Sequence, residues 1–245
     1  NCISLESITI PKNIVDIFSN AFYNCTKLKS IIFLGNISCI SSGVFMHCIS
    51  LQSISIPDNI SSIGDSAFHG CINLQSILIP ENVSSIGKSA FRQCKKINSI
   101  IFPAKVTEIS SEMFCDCTNL SSVTFLGNIT KIKDNAFQFC LNLKSINISK
   151  TVKEVGRYAF QNCVCLHSFD FLICAEFIGL YAFSQCDNLK SFSIPKNVTR
   201  VSRDLFNNCH NLQKVVFLGN ITEIGSWTFY RCYNLQSIQL PDSLV

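Results

Sequence analysis

The sequence predicts an α/β solenoid, a right-handed coil of eleven 23-residue repeats with a parallel β-sheet along its concave face and short extended and helical-turn segments on the convex side. Three observations carry this prediction. Cys2, Cys25, Cys48, Cys71, Cys94, Cys117, Cys140, Cys163, Cys186, Cys209 and Cys232 stand 23 residues apart, with no insertion or deletion. A leucine follows each cysteine by three residues, Ile97 being the exception. A phenylalanine precedes every cysteine after the first by three: Phe22, Phe45, Phe68, Phe91, Phe114, Phe137, Phe160, Phe183, Phe206 and Phe229.

Each repeat then reads in order. From Leu51 to Pro57 apolar and polar residues alternate, the period of a strand with one buried face. Ile54 and Ile56 point inward, Ser53 and Ser55 outward. The proline or glycine that follows ends the strand. Asn59 to Ile63 reads as a second, short extended piece, and Asp65 to Cys71 as a helical turn. Gly64 precedes that turn, but Ser, Lys and Phe take its place in other repeats, so a positive φ is not required there. One repeat cannot bury its own Leu, Ile and Phe, whereas stacked copies cover one another. Eleven parallel strands at ~4.8 Å spacing make a sheet of roughly 50 Å, and their crossovers should be right-handed.

No linker interrupts the pattern, so residues 1–245 form one domain. The chain starts at the cysteine of one repeat and stops part-way through another. The expectation is a piece of a longer array, uncapped at both ends, with end-to-end self-association through Leu5, Ile8 and Ile10 at one end and Leu235, Ile238, Leu240 and Leu244 at the other. A coarser pattern overlies the repeat. Phe33-Leu-Gly-Asn-Ile37, Phe125-Leu-Gly-Asn-Ile129 and Phe217-Leu-Gly-Asn-Ile221 lie four repeats apart, with the related Phe171-Leu172 also in an even-numbered repeat. Odd-numbered repeats carry Ile-Pro, as at Ile10-Pro11, Ile56-Pro57 and Ile194-Pro195, or relatives of it.

The run Leu74-Gln-Ser-Ile-Leu-Ile-Pro-Glu-Asn-Val-Ser-Ser-Ile-Gly-Lys-Ser-Ala-Phe-Arg-Gln-Cys94 resembles the BspA-like class of leucine-rich repeats throughout, and the resemblance covers the whole chain. It implies the leucine-rich-repeat fold. It also implies a place at the cell surface or in secretion, as a surface antigen concerned with adhesion to host cells, matrix or other microbes. The residues of the motif are core residues, so the resemblance assigns no functional site.

Composition narrows the rest. The chain is 47% hydrophobic and 15% charged, with a net charge of +4 and no basic run longer than Lys95-Lys96, which argues against a nucleic-acid partner. Every apolar run is broken within a few residues, so no membrane span is expected. Asn1-Cys2-Ile3 lacks the basic start and apolar stretch of a signal peptide. Fifteen cysteines invite a disulfide or metal reading. Cysteines in one phase point the same way, though, whereas a disulfide needs Cβ vectors that face each other. A ladder of reduced, packed thiols is expected. Cys39, Cys115, Cys165 and Cys174 fall out of phase and are the more reactive candidates. Neither Cys115/Cys117 nor Cys163/Cys165 has a second pair or a histidine at zinc spacing. His47, His69, His167 and His210 form no dyad with a nucleophile. No catalytic residue, cofactor or metal is therefore assigned, and an enzyme is not expected.

Two surface features remain. Nine Asn-x-Ser/Thr sequons occur, and Asn36, Asn59, Asn82, Asn128, Asn197 and Asn220 share one repeat position just after the strand. They are candidate glycosylation sites, although one ancestral sequon copied by duplication produces the same count. On the concave face the first outward position is Ser in ten of eleven repeats, Lys214 being the departure. The next varies, and there Ile32, Leu78 and Ile101, with Leu34 beside Ile32, form a candidate partner-binding patch rimmed by Gln52, Gln75 and Asn98. β-propensity alone also places such residues in strands. The reading is a protein- or glycan-binding repeat module for cell-surface adhesion or host and matrix recognition. The alternative is a structural spacer whose repeats supply length.

Overall fold

The alternating segment of each repeat is a strand, and the strands stack in parallel. In this computed structural model, which describes residues 1–244, the first sheet consists of Ser7–Ile10, Ser30–Phe33, Ser53–Ser55, Ser76–Leu78, Ser99–Phe102, Ser122–Phe125, Ser145–Asn147, Ser191–Ile194, Lys214–Phe217 and Ser237–Ile238. Val245, the last residue of the expected domain, lies outside the described residues. The register is one full repeat, with Ser7 opposite Ser30, Thr124 opposite Asn147 and Ser191 opposite Lys214. A second ladder of two-residue strands runs alongside from Cys39–Ile40 to Glu223–Ile224, pairing Ile40 with Ile63 and Val201 with Ile224. Strands this short hold because each is hydrogen-bonded to a neighbouring copy, in three runs: 39–86, 108–178 and 200–224.

The third side departs from expectation. The helical turn predicted before each cysteine is not helical. Among the described residues the sole helix is the 3-10 turn Asp170–Leu172, so the fold is an all-β solenoid rather than α/β, with about ten turns of 23 residues rather than eleven. Two residues per turn have positive φ, five and one before the cysteine, as at Gly43 and His47 or Ser66 and Gly70. A left-handed residue on either side of Phe45 or Phe68 breaks the run of right-handed conformations a helix needs. The N–H groups of Gly43, Phe45 and His47 then reach the carbonyls of Asp65, Ala67 and His69 in the next turn at 2.8, 2.9 and 2.7 Å. This side is thus also a ladder between turns. The position of Gly64 itself needs no positive φ, as expected.

The core runs along the axis. Phe22 to Phe229 form one continuous stack, with neighbouring ring centroids 5.3 to 6.0 Å apart and ring planes within 20° of parallel. The in-phase cysteines serve the same stack. Each thiol from Cys48 to Cys232 donates to the carbonyl of the phenylalanine in the turn before it, at 3.0 to 3.2 Å. That carbonyl already accepts the N–H of its own cysteine, as Phe114 does from Cys117 at 3.0 Å. The sulfur fills core volume and occupies the second lone pair of a buried oxygen.

Ladder pairing along this face lapses between Ser30–Phe33 and Ser53–Ser55 and between Ser76–Leu78 and Ser99–Phe102, and in one turn the strand itself is lost. Between Ser145–Asn147 and Ser191–Ile194 the expected strand is replaced by the 3-10 turn, with Phe171 and Leu172 buried. In this turn Ile173 stands at the phase of Gly35, Gly127 and Gly219. A Cβ on those glycines would collide with the carbonyl oxygens of Ile14, Ala104 and Lys196 in the preceding turn. Lys150 and Lys196 stand at the same phase after intact strands, so a side chain there does not by itself end a strand.

Candidate functional site

The outward face of the first sheet is built by the strand period itself. Ile31, Ile77 and Ile100 turn into the core, so Ile32, Leu78 and Ile101 must turn out, and they do, with Leu78 at 77% exposure. Ser55 lies directly opposite Leu78, and Ile101 opposite Thr124. The row therefore reads Ile32, Ser55, Leu78, Ile101, Thr124 across five successive strands. Leu34 is exposed at the end of the Ile32 strand, as expected. Two exposed leucines of the same phase, Leu126 and Leu218, were missed. The Leu-Gly-Asn repeat was the signal for both, and Leu126 carries the apolar row one strand beyond Ile101. Gln52, Gln75 and Asn98 are exposed where the rim was expected.

A well-formed cavity lies away from this patch. A cleft of about 510 Å³ opens at the strand break, with Phe169 and Phe192 in its floor and Lys150, His167 and Asp170 at its mouth. Ser168 Oγ donates to Asp170 Oδ2 at 2.8 Å, and His167 is exposed.

The remaining candidates fall as follows. All six in-phase sequon asparagines are exposed. The Asn82 amide donates to the Asp58 carbonyl at 3.1 Å, and the Asn59 amide to the Ile37 carbonyl. All fifteen cysteines are free thiols. Burial pushes the Cys48 thiol up to about 12 and those of Cys71, Cys94, Cys140, Cys186 and Cys209 well above their ordinary range. The out-of-phase cysteines are not alike. Cys174 is exposed, and Cys39 and Cys165 are half-buried. Cys115 is buried, with its thiol raised to about 12 by burial and then by Asp116, so it is not one of the reactive group. His47 and His69 come together, ring centroids 5.2 Å apart, and the pKa of His69 is lowered by burial first and the neighbouring His47 second. Among the described residues no group of three metal-ligating side chains gathers, and no helix is long and apolar enough to cross a membrane. Lys131–Glu154 at 3.0 Å and Lys153–Glu176 at 3.3 Å tie adjacent turns at the exposed surface, where such pairs contribute ~0–1 kcal/mol each.

Comparison with known proteins agrees with this architecture. The profile described as BspA type leucine rich repeat region, in six copies, matches residues 1–117, 38–167 and 153–245. The chain belongs to the BspA-type leucine-rich-repeat family. No curated protein matches. Among solved structures, this BspA-type chain is similar to a leucine-rich repeat protein from Bacteroides ovatus, at 25% identity and a TM-score of 0.63, over 99% of this chain and 80% of that one. It is also similar to the T. pallidum leucine-rich repeat protein, at 28% identity and a TM-score of 0.62, over 66% of this chain and 78% of that one. A leucine-rich cell surface protein from Faecalibacterium prausnitzii matches at 25% identity with a TM-score of 0.58, over 96% of this chain and 79% of that one. The BspA-type family is one of repeat proteins rather than an enzyme class.

Proposed function

We propose that this chain is a protein- or glycan-binding module of a cell-surface or secreted protein, serving adhesion or host and matrix recognition. The partner meets the outward face of the first sheet around Ile32, Leu34, Leu78 and Ile101. The observation that carries this reading is the exposed apolar row itself, at positions where the core makes no demand. Fully burying one such side chain in an interface is worth roughly 1.5–3 kcal/mol, so three or four of them anchor a complex, with the serine row and Gln52, Gln75 and Asn98 as its polar rim. A net charge of +4 makes binding only mildly dependent on salt and gives no footing for nucleic acid. The cell-surface description of the Faecalibacterium relative supports the location. The exposure of Asn36, Asn59, Asn82, Asn128, Asn197 and Asn220 supports them as glycan acceptors, which a mass shift on deglycosylation of the naturally expressed protein checks.

The test is the double substitution Ile32→Asp with Leu78→Asp, assayed for binding to host cells and matrix proteins. The fold should survive, because both side chains already face solvent, and binding should fall by at least about tenfold. A variant that folds and binds like the parent overturns the site and leaves the spacer reading in its place.

A further inference from the structure

The third side of the solenoid changes character along its length. Five residues before each cysteine the backbone is left-handed in every repeat, with φ between 53 and 63°. The first six occupants are Asn20, Gly43, Ser66, Ser89, Glu112 and Asn135, none of them aromatic. The last four are Tyr158, Tyr181, Asp204 and Trp227. Glycine and asparagine adopt a left-handed conformation readily, whereas a bulky side chain resists it. The fold therefore gains nothing from three large rings at this phase, and strain kept where the fold does not need it points to use.

The rings are also gathered. Four of the chain's five tyrosines and its one tryptophan lie in the last four repeats on this side. Tyr158 and Tyr181 stack at 5.0 Å. The Arg203 guanidinium lies 5.9 Å over the Trp227 ring, Trp227 meets Tyr230 at 5.4 Å, and the Arg231 guanidinium lies 5.2 Å over Tyr230. Asp204, fully buried, fixes the arrangement from below. It accepts from Arg203 Nε at 2.8 Å and from Asn207 Nδ2 at 2.6 Å. Arg203 is thus held by Nε, and its side chain also meets the Tyr181 hydroxyl. Trp227 remains 61% exposed.

Charge identifies the partner. In the four segments 157–162, 180–185, 203–208 and 226–231 the only charged residues are Arg157, Arg203, Arg231 and the buried Asp204. Among the described residues Arg157 and Arg231 have no carboxylate within ion-pair distance. The strip offers guanidinium groups and aromatic edges, with the exposed Asp134 carboxylate at its border on the Arg157 N–H. Arg203 and Tyr230 lie against the Trp227 ring, which keeps most of its surface open. We propose that this strip is a second binding surface, separate from the first-sheet patch, and that it takes a protein segment presenting carboxylate side chains beside apolar ones. Tryptophan, tyrosine and arginine are the residues that dominate protein interfaces, and a guanidinium grips a carboxylate with two hydrogen bonds.

Trp227 is the chain's one tryptophan, so its emission reports on this site directly. The probes are short synthetic peptides that alternate Glu with Leu and Phe, and the same peptides with Gln for Glu. The unmodified chain should show a saturable change in emission with the Glu peptides and bind the Gln peptides at least about tenfold more weakly. The double substitution Tyr230→Gln with Arg231→Asn installs residues the solenoid already carries at those phases, as at Gln161 and Asn162. It should keep the parent melting temperature and lose binding by a similar factor, while Ile32→Asp with Leu78→Asp should leave it unchanged. No saturable change, equal affinity for Glu and Gln peptides, or a folded double variant that binds like the parent would overturn the proposal. So would tighter binding of heparin fragments than of any Glu peptide, which would make the strip an anionic-glycan site. The Glu and Gln peptides are compared on the unmodified chain, so the test does not depend on the variant folding.

Discussion

Truncating one ring in the middle of the phenylalanine stack is the sharpest test of how the solenoid is held together. Phe137 is completely buried and sits between Phe114 and Phe160, each 5.3 Å away. Its N–H bonds to the Ala159 carbonyl at 2.8 Å, a bond that Phe137→Ala retains, so the loss belongs to the side chain alone. Burying about 200 Å² of ring at about 25 cal/mol per Å² corresponds to ~5 kcal/mol, and partial relaxation of the cavity brings the expected cost to ~3–5 kcal/mol. Phe91→Ala should behave alike, since Phe91 is also buried between two stacked neighbours. Phe22 is half-buried with one ring neighbour in the stack, and its truncation should cost roughly half as much. Substitution of the exposed Gln75 or Ser76 should stay within about 0.5 kcal/mol. Urea denaturation followed by circular dichroism measures each. Equal shifts for Phe137→Ala and Phe22→Ala, or for Phe137→Ala and Ser76→Ala, would refute the spine as the source of cohesion.

Three further outcomes follow from the same geometry. In native buffer a thiol reagent should label Cys2 and Cys174 quickly and leave the buried in-phase cysteines and Cys115 unreacted until the chain is unfolded, when all fifteen should react without reductant. Alkali should destabilise the fold. Thiols normally ionise near 9.0 but Cys48 is held to about 12, so the unfolded chain releases protons first and the urea midpoint should fall from pH 9.0 through the window up to about 12, whereas a constant midpoint there would contradict the buried ladder. Ile173→Gly with Cys174→Asn rebuilds the Leu-Gly-Asn turn and should convert 168–171 into a strand, read as new hydrogen-exchange protection of those amides.

The chain's own residues determined the repeat, its inside and its outside. A period of 23 with strict alternation leaves one choice of face at each strand, so Ile54 and Phe102 inward and Leu78 and Ile101 outward were all legible before any coordinates. The same holds for the buried, reduced cysteine ladder, because residues in one phase of a stacked repeat cannot face each other. Leu126 and Leu218 were also written in the chain, in the repeated Leu-Gly-Asn, whereas the strand break was not expected. The apolar patch itself was legible only as exposure, since no partner contact is encoded in a strand pattern.

Tertiary structure decided what depends on contact between turns. Apolar periodicity near Phe68 fits a helical turn as well as a left-handed turn series. The choice falls to hydrogen bonds that leave the repeat, such as Phe68 N–H to the Ala90 carbonyl at 2.8 Å, which no single repeat contains. The thiol bonds to the phenylalanine carbonyls, and the pairing of Arg203 with Trp227 across 24 residues, arise in the same way. Periodicity fixes which way a side chain points. Which atoms it meets is fixed only when the next turn is laid against it.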